Sequence, residues 1–336
     1  MPPYRRALIV GLNTYHLTGN DLQGSVADAE AMAERLSKHA NDDPNYECRV
    51  FLDRTDTTGS VTRAALREAL SILFAPDFQG DILFYFSGHG VLTTTGGVLM
   101  TQDGKPGDWG ILMQEVVSFA NKAKARSVTI ILDCCHGGDM GNVQVPDGQD
   151  GQGSFALLRE DLTLIGASSP VQLAVEAGGQ GLFTSAVIDA LDGGAADHMG
   201  WVTGASIYAY VDRRFGAWEQ RPIYKSHATY VPVIRECQPL IDKLKLRELV
   251  KHFPSGDYQF RLDPDYEPED ENGNVHQPVN DEKVAVAQLF KEYRDAGLLR
   301  PSIKGEQLYW TARHGNTVEL TPRGWEYWWL VSKDKL

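Results

Sequence analysis

The sequence predicts an α/β fold: an open, mostly parallel sheet covered by helices on both faces, with a smaller module after it. Three observations carry that reading. Short apolar runs, rich in branched and aromatic side chains, recur along the first 236 residues. Segments with apolar residues at helical spacing lie between them. Strand and helix then alternate in a β–α–β–α order, which requires crossover helices packed on the sheet. At about 150 residues per domain, the 336-residue chain makes one large domain or two smaller ones. A core of that size needs no disulfide or metal staple.

Residues 6–12 (RALIVGL) form the first strand, ending near a glycine. Residues 25–40 follow as a helix, with Val26, Ala29, Met32, Ala33 and Leu36 on one face. Residues 48–52 (CRVFL) are the second strand. The second helix covers 62–74, with Leu66, Leu70 and Leu73 at helical spacing. Residues 81–86 (DILFYF), 112–123 and 127–132 (SVTIIL) continue as strand, helix and strand. The stretch 139–155 is Gly-rich and polar without periodicity, and reads as a long loop. A fifth strand at 162–167, helices at 182–190 and 207–215, and the segment 220–234 complete a domain covering 1–236.

Residues 237–336 read as a second module. A helix is expected at 240–252 and a mobile acidic loop at 263–282. An amphipathic helix over 283–299 is ended by Gly297. Residues 307–312 and 317–320 alternate around 313–316 (RHGN) and predict a hairpin, after which Pro322 begins a closing helix. Helix, helix, hairpin, helix is a winged-helix-like pattern. No internal repeat is present.

Composition excludes several functional classes. Hydrophobic residues at 42% and charged residues at 23% exclude a disordered or collagen-like chain. No apolar run reaches 18 residues and no leader pattern follows Met1, so neither membrane spanning nor export is expected. Cys48, Cys134, Cys135 and Cys237 form no disulfide framework and no paired CxxC zinc site. They point to a reduced, cytoplasmic setting. The net charge of −13 argues against a nucleic-acid backbone as partner and favours basic ligands. Residues 1–236 carry 18 Lys and Arg against 28 Asp and Glu, and residues 237–336 carry 14 against 17. The acidic bias thus lies mainly in the first domain.

Functional residues of an open parallel sheet collect beyond the carboxyl ends of its strands. The third strand runs into Ser87-Gly88-His89-Gly90, and the fourth into Asp133-Cys134-Cys135-His136-Gly137-Gly138. A lone His or Cys is usually a core residue. A His and a Cys at two strand ends of one sheet, flanked by glycines, make a nucleophile and its base. Glycine N–H groups beside them stabilise a developing oxyanion.

These residues resemble the His and Cys motifs of the caspase-fold cysteine peptidases, most closely the metacaspase and bacterial metacaspase-like branch, whose Cys motif reads D-x-C-H-S-G. Gly137 stands where that motif has Ser. The stretch 22–29 (LQGSVADA) is similar to the family's L-x-G-C-x-x-D-A, and 181–184 (GLFT) and 220–222 (QRP) resemble features of its smaller subunit. The resemblance spans residues 5–235 and does not reach 240–336.

The resemblance implies that Cys135 is the nucleophile, with Cys134 a packing neighbour, and that His89 is the general acid and base. Gly90 and Cys135 would supply oxyanion N–H groups. His136 is the competing base, adjacent in sequence to the nucleophile. The resemblance further implies a P1 pocket from Ser25, Asp28, Ser87 and Asp133 that receives Arg or Lys of a protein substrate. A cation neutralises two converging acids, and Arg matches a carboxylate bidentately. Alternatively, Asp28 caps its helix and Asp133 is a structural acceptor.

Many members of the branch require calcium. The segment 91–109 offers only Asp103 and Asp108, so no calcium or other cofactor is expected. The family often processes itself in the linker after the nucleophile, where Arg159 is either a cut site or a surface residue. The weak charge of 237–336 argues against DNA binding. Its aromatic residues Tyr309, Trp310, Trp325, Tyr327, Trp328 and Trp329 are expected to form a small core with an exposed remainder for an activating protein partner. The expected function is a Lys/Arg-directed cysteine endopeptidase of a bacterial stress or defence pathway; the alternative is a caspase-fold binding scaffold.

Overall fold

Side chains alternate across a strand, so each strand of a sheet covered on both faces feeds two cores. A computed structural model shows this division; it describes residues 4–19, 21–53, 61–134, 137, 158–167, 181–215, 221–270, 273–275 and 278–336. Strand β1 (Arg5–Gly11) leads to α1 (Ser25–Ser37), β2 (Glu47–Leu52), α2 (Arg63–Leu73) and β3 (Asp81–Ser87). Three strands follow, β4 (Gly90–Thr93), β5 (Gly96–Lys105) and β6 (Asp108–Leu112), then α3 (Met113–Lys122) and β7 (Ser127–Asp133). Next come β8 (Leu162–Gly166), α4 (Leu182–Asp189), β9 (Trp201–Thr203), α5 (Gly204–Asp212), β10 (Ile223–His227) and β11 (Val233–Glu236).

Six strands form one sheet in the order β10-β8-β7-β3-β1-β2, parallel throughout except for β10. Leu83 and Tyr85 of β3 and Ile131 of β7 bury with Ala29 and Met32 of α1 and Phe183 and Val187 of α4. Phe84, Phe86, Ile130 and Leu132 bury on the opposite face with Leu66 and Leu70 of α2 and Val116 and Val117 of α3. The central strands β3 and β7 are buried on both faces, so their sequences read as continuous apolar runs. The small antiparallel sheet β4-β5-β6 was not read from the sequence. Its glycines at 96, 97, 104, 107 and 110 look like loop punctuation, and its pairing partners are what make it a sheet.

The chain divides into two compact units, Met1–Gln238 and Pro239–Leu336. The second holds α6 (Lys243–Arg247), α7 (Leu249–His252), β12 (Phe260–Arg261), α8 (Asp281–Asp295), β13 (Leu299–Pro301), α9 (Leu308–Arg313), β14 (Thr317–Leu320) and α10 (Pro322–Ser332). The hairpin expected at 307–320 is not formed. Its first arm is α9, which buries Leu308, Thr311 and Ala312 at helical spacing, and Gly315 at φ +67° ends the turn. The sheet β12-β14-β13 thus lacks the hairpin of a winged-helix module.

The expected acidic loop carries a 3-10 turn at Pro264–Tyr266, and Lys283 pairs with Asp263 (2.7 Å) and Asp265 (3.0 Å). The aromatic core of this unit also differs from expectation. It is built from Phe253, Phe260, Phe290 and Tyr293, with Phe290 centred 5.0 Å from Phe260 and 5.7 Å from Phe253. Of the six aromatic residues expected there, Tyr327 is buried, while Trp310 and Trp325 are exposed. A periodic face on α8 wins over a local run of large rings.

Candidate active site

The register of the sheet assembles the site. Ser87 closes β3 directly opposite Asp133, which closes β7, and Gly11 of β1 pairs with Ser87 from the other side. Residues 83, 85 and 87 and residues 131 and 133 alternate onto the face covered by α1 and α4. Ser87 and Asp133 therefore meet the first turns of both helices. Residue 134 alternates to the other face, and Cys134 is buried among Leu132 and Phe86. This is the packing role expected of it.

Asp28 and Asp133 converge on the start of α4. Asp28, 2% exposed, accepts from Ser87 Oγ (3.2 Å) and from the Gly181 N–H at 3.2 and 3.4 Å. Asp133 Oδ2 accepts from Thr184 N (3.2 Å) and Thr184 Oγ1 (2.5 Å), and the Tyr85 hydroxyl lies 2.5 Å from the same Thr184 oxygen. A Cβ added at Gly181 would sit 2.8 Å from Asp133 Oδ2 and 3.2 Å from Asp28 Oδ2. A methyl group at position 181 would therefore push the two carboxylates aside. Free N–H groups at a helix start favour carboxylates. Ser25 is buried one turn before Asp28 on α1.

Burial raises the Asp133 carboxyl above the ordinary Asp value, and its two bonds from Thr184 offset part of that rise. An acid raised in the folded state keeps its proton where the unfolded chain has lost it, so stability falls as pH rises through the folded value. Asp133→Asn keeps an acceptor for Thr184 and deletes the titration. Relative to the parent, its melting temperature should therefore improve on going from about pH 4 to the neutral range. Thermal scans at the two pH values check this, and an identical offset at both would show that the charge carries no burial cost.

His89 leaves β3 two residues after Ser87 and is half-buried. Its carbonyl accepts from Met100 N (2.9 Å), and Gly88 N donates to Asp133 O (3.2 Å), so the His loop is tied to β5 and to β7. Gly90 follows as the first residue of β4. Cys135 and the competing base His136 lie outside the described residues. Arg159 is described just before β8. Its guanidinium donates to the carbonyls of Ala123 (2.5 Å), Ala125 (2.6 Å) and Glu160 (2.8 Å), and its N–H to Asn121 Oδ1 (2.9 Å).

A caspase-domain family profile matches residues 4–233. The chain belongs to this caspase-domain peptidase family (peptidase C14). The chain is 31% identical over 150 residues to metacaspase-7 of Arabidopsis thaliana, a match covering 40% of the chain and 35% of that protein. It thus spans about a third of the length of this curated relative. A solved structure of a protein from Geobacter sulfurreducens matches 70% of the chain and 98% of its own, at 18% identity and a TM-score of 0.49.

Thr184, Gly181 and Tyr85 also surround the two acids, and the motifs alone give them no role. Gly181 and Thr184 were legible as a motif, but their bonds to Asp28 and Asp133 span 153 and 51 residues of chain. Among the described residues no group of three or more His, Cys, Asp or Glu is placed to hold a metal ion. No helix among them is long and apolar enough to cross a membrane.

Proposed function

We propose that this protein is a cysteine endopeptidase that cleaves protein substrates after Arg or Lys through a Cys135–His89 dyad. One observation carries the specificity: two carboxylates, Asp28 and Asp133, meet at a glycine in the strand-end region that also bears His89. A guanidinium or ammonium group is the ligand that compensates such a pair. Ser25 and Ser87 line the same P1 pocket, and Gly90 and Cys135 donate to the oxyanion. In the reaction His89 takes the thiol proton, the Cys135 sulfur attacks the scissile carbonyl, and the protonated imidazole then donates to the leaving amine. Water hydrolyses the resulting thioester to release the acid product.

No calcium requirement is proposed. Asp103 already accepts from Thr101 Oγ1 (2.6 Å) and Arg63 N (2.9 Å), and Asp108 pairs with Arg63 at 3.4 Å. The second unit is proposed to dock an activating protein partner, with Trp310 and Trp325 exposed on it. Resemblance to the bacterial metacaspase-like branch supports a cytoplasmic role in stress or defence. The test is a panel of fluorogenic peptides varied at P1, run with calcium and with a chelator. Arg and Lys peptides should be cut equally in both arms, with Asp, Glu and neutral peptides spared. Preference for P1 Asp would overturn the pocket, and a folded protein that cuts nothing would point to a binding scaffold.

A further inference from the structure

We propose that Tyr15 is a positioning residue for His89. This rests on the peptidase reading, in which His89 is the base. The His89 main-chain N–H donates to Tyr15 Oη at 2.6 Å, and the phenol and imidazole rings lie 4.7 Å apart at 47°. The hydroxyl in turn donates to Leu12 O at 3.3 Å. Burial keeps the phenol protonated, as a group that accepts from one side and donates to the other must be. A Cβ at Gly88 would come 2.6 Å from Tyr15 Oη, so the glycine before His89 leaves room for this hydroxyl.

The loop after β1 is built as a mount for Tyr15. Tyr15 N donates to Asp21 Oδ1 (2.9 Å), Leu12 N to Ser87 O (3.0 Å), and Asn13 N to Asp53 Oδ2 (2.7 Å). Asp53 Oδ2 also takes Thr14 N and Thr14 Oγ1, and Gln102 Nε2 donates to Thr14 Oγ1 at 3.0 Å. A phenol carried on a loop held at this many points holds the imidazole's backbone and one ring face. Small displacements of a catalytic group cost tens- to about hundred-fold in rate.

Tyr15→Phe keeps the ring and deletes the hydroxyl. It should lower kcat at least about tenfold with KM little changed. Gly88→Ala, whose methyl displaces the hydroxyl, should do the same if Tyr15→Phe folds poorly. The second readout needs no activity: imidazole NMR spectra of both variants in a Cys135→Ala background. The His89 signals should move while the other eight histidines hold still. Unmoved His89 signals would overturn the proposal even if kcat falls. A parent enzyme that cleaves nothing would sink the peptidase reading instead, and the spectra would still decide whether Tyr15 orients His89.

A different observation carries a second proposal, resting on the same peptidase reading: we infer that Arg159 is protected from processing. Arg159 is the only Lys or Arg from Ser127 to Asp212. A Lys/Arg-directed enzyme therefore has one target in its own linker. That side chain is engaged by the carbonyls of Ala123, Ala125 and Glu160 and by that of Arg126 at 3.5 Å, and the next residues cannot extend freely. Asp161 sits at φ +59° and accepts from Thr229 N (2.8 Å) and Tyr230 N (2.9 Å), and β8 begins at Leu162. Peptidases bind their substrates extended, so a cut after Arg159 requires all of this to be undone. Limited trypsin digestion of the Cys135→Ala variant should cut other Lys and Arg sites before Arg159, and the parent should release no fragment beginning at Glu160 during turnover. An early fragment beginning at Glu160 in the trypsin digest would overturn the inference, whatever the parent's own activity.

Discussion

Cys135→Ala should abolish peptide hydrolysis while Cys134→Ala leaves most of it. The motif places Cys135 before His-Gly-Gly, and Cys134 is buried in the core under the opposite sheet face. Replacing it by Ala removes one buried sulfur on the face away from the two acids. Burial pushes the Cys48 thiol up to about 12, and Cys237 is also raised. An alkylating probe at neutral pH should therefore label Cys135 first, since the thiolate is the nucleophile. His89→Ala should cost about 100- to 10,000-fold in rate, because thiolate formation and leaving-amine protonation both depend on it. His136→Ala should cost far less. Labelling of Cys134 in preference to Cys135, or the reverse ranking of the two histidines in folded variants, would refute the dyad.

The second large effect is on specificity. Asp133→Asn keeps the shape of the side chain and its acceptor for Thr184, but under the proposed specificity it would leave a bound P1 cation half-paired. Truncating one partner of a buried charge pair costs about 2–5 kcal/mol, or roughly 30- to several-thousand-fold in kcat/KM. Asp28→Asn should behave alike, since it keeps an acceptor for Ser87 and Gly181. Both acids meet at one glycine, so the double variant should lose less than the two single losses combined. A purely structural role predicts something else: a lower melting temperature and equal losses on every substrate. The P1 profile of the folded single variants decides. Full cleavage of Arg and Lys peptides by both would show that the acids do not receive the cation.

Much of the first unit was legible because its periodicities are strong. The five runs read as strands lie in the six-stranded sheet, and α1, α2, α3 and α4 fall within a few residues of their predicted bounds. Buried parallel strands are apolar on both faces, and crossover helices carry a single apolar stripe. The small β4-β5-β6 sheet and α9 were missed for the converse reason. Each is short, and its identity depends on what it packs against rather than on a local pattern. The aromatic residues of the second unit teach the same point: Trp325 and Trp328 are near neighbours in sequence, yet Trp325 is exposed while Trp328 donates its indole N–H to Phe253 O at 2.6 Å.

The sequence by itself determined the family-bearing motifs: His89 beyond one strand, Asp133 and Cys135 at the end of another, and Asp28 on the first helix. Such motifs are local, because a strand that stops at a polar cluster shows both its end and its chemistry within a few residues. Tertiary structure alone decided what surrounds them. Strand register set Ser87 beside Asp133, helix packing brought Thr184 and Gly181 to the two acids, and a loop 74 residues away brought Tyr15 to His89. These contacts join segments far apart in the chain, and no spacing rule connects them. Their partners are fixed by which helices cover which face of the sheet, a property of the packed molecule and not of any one segment.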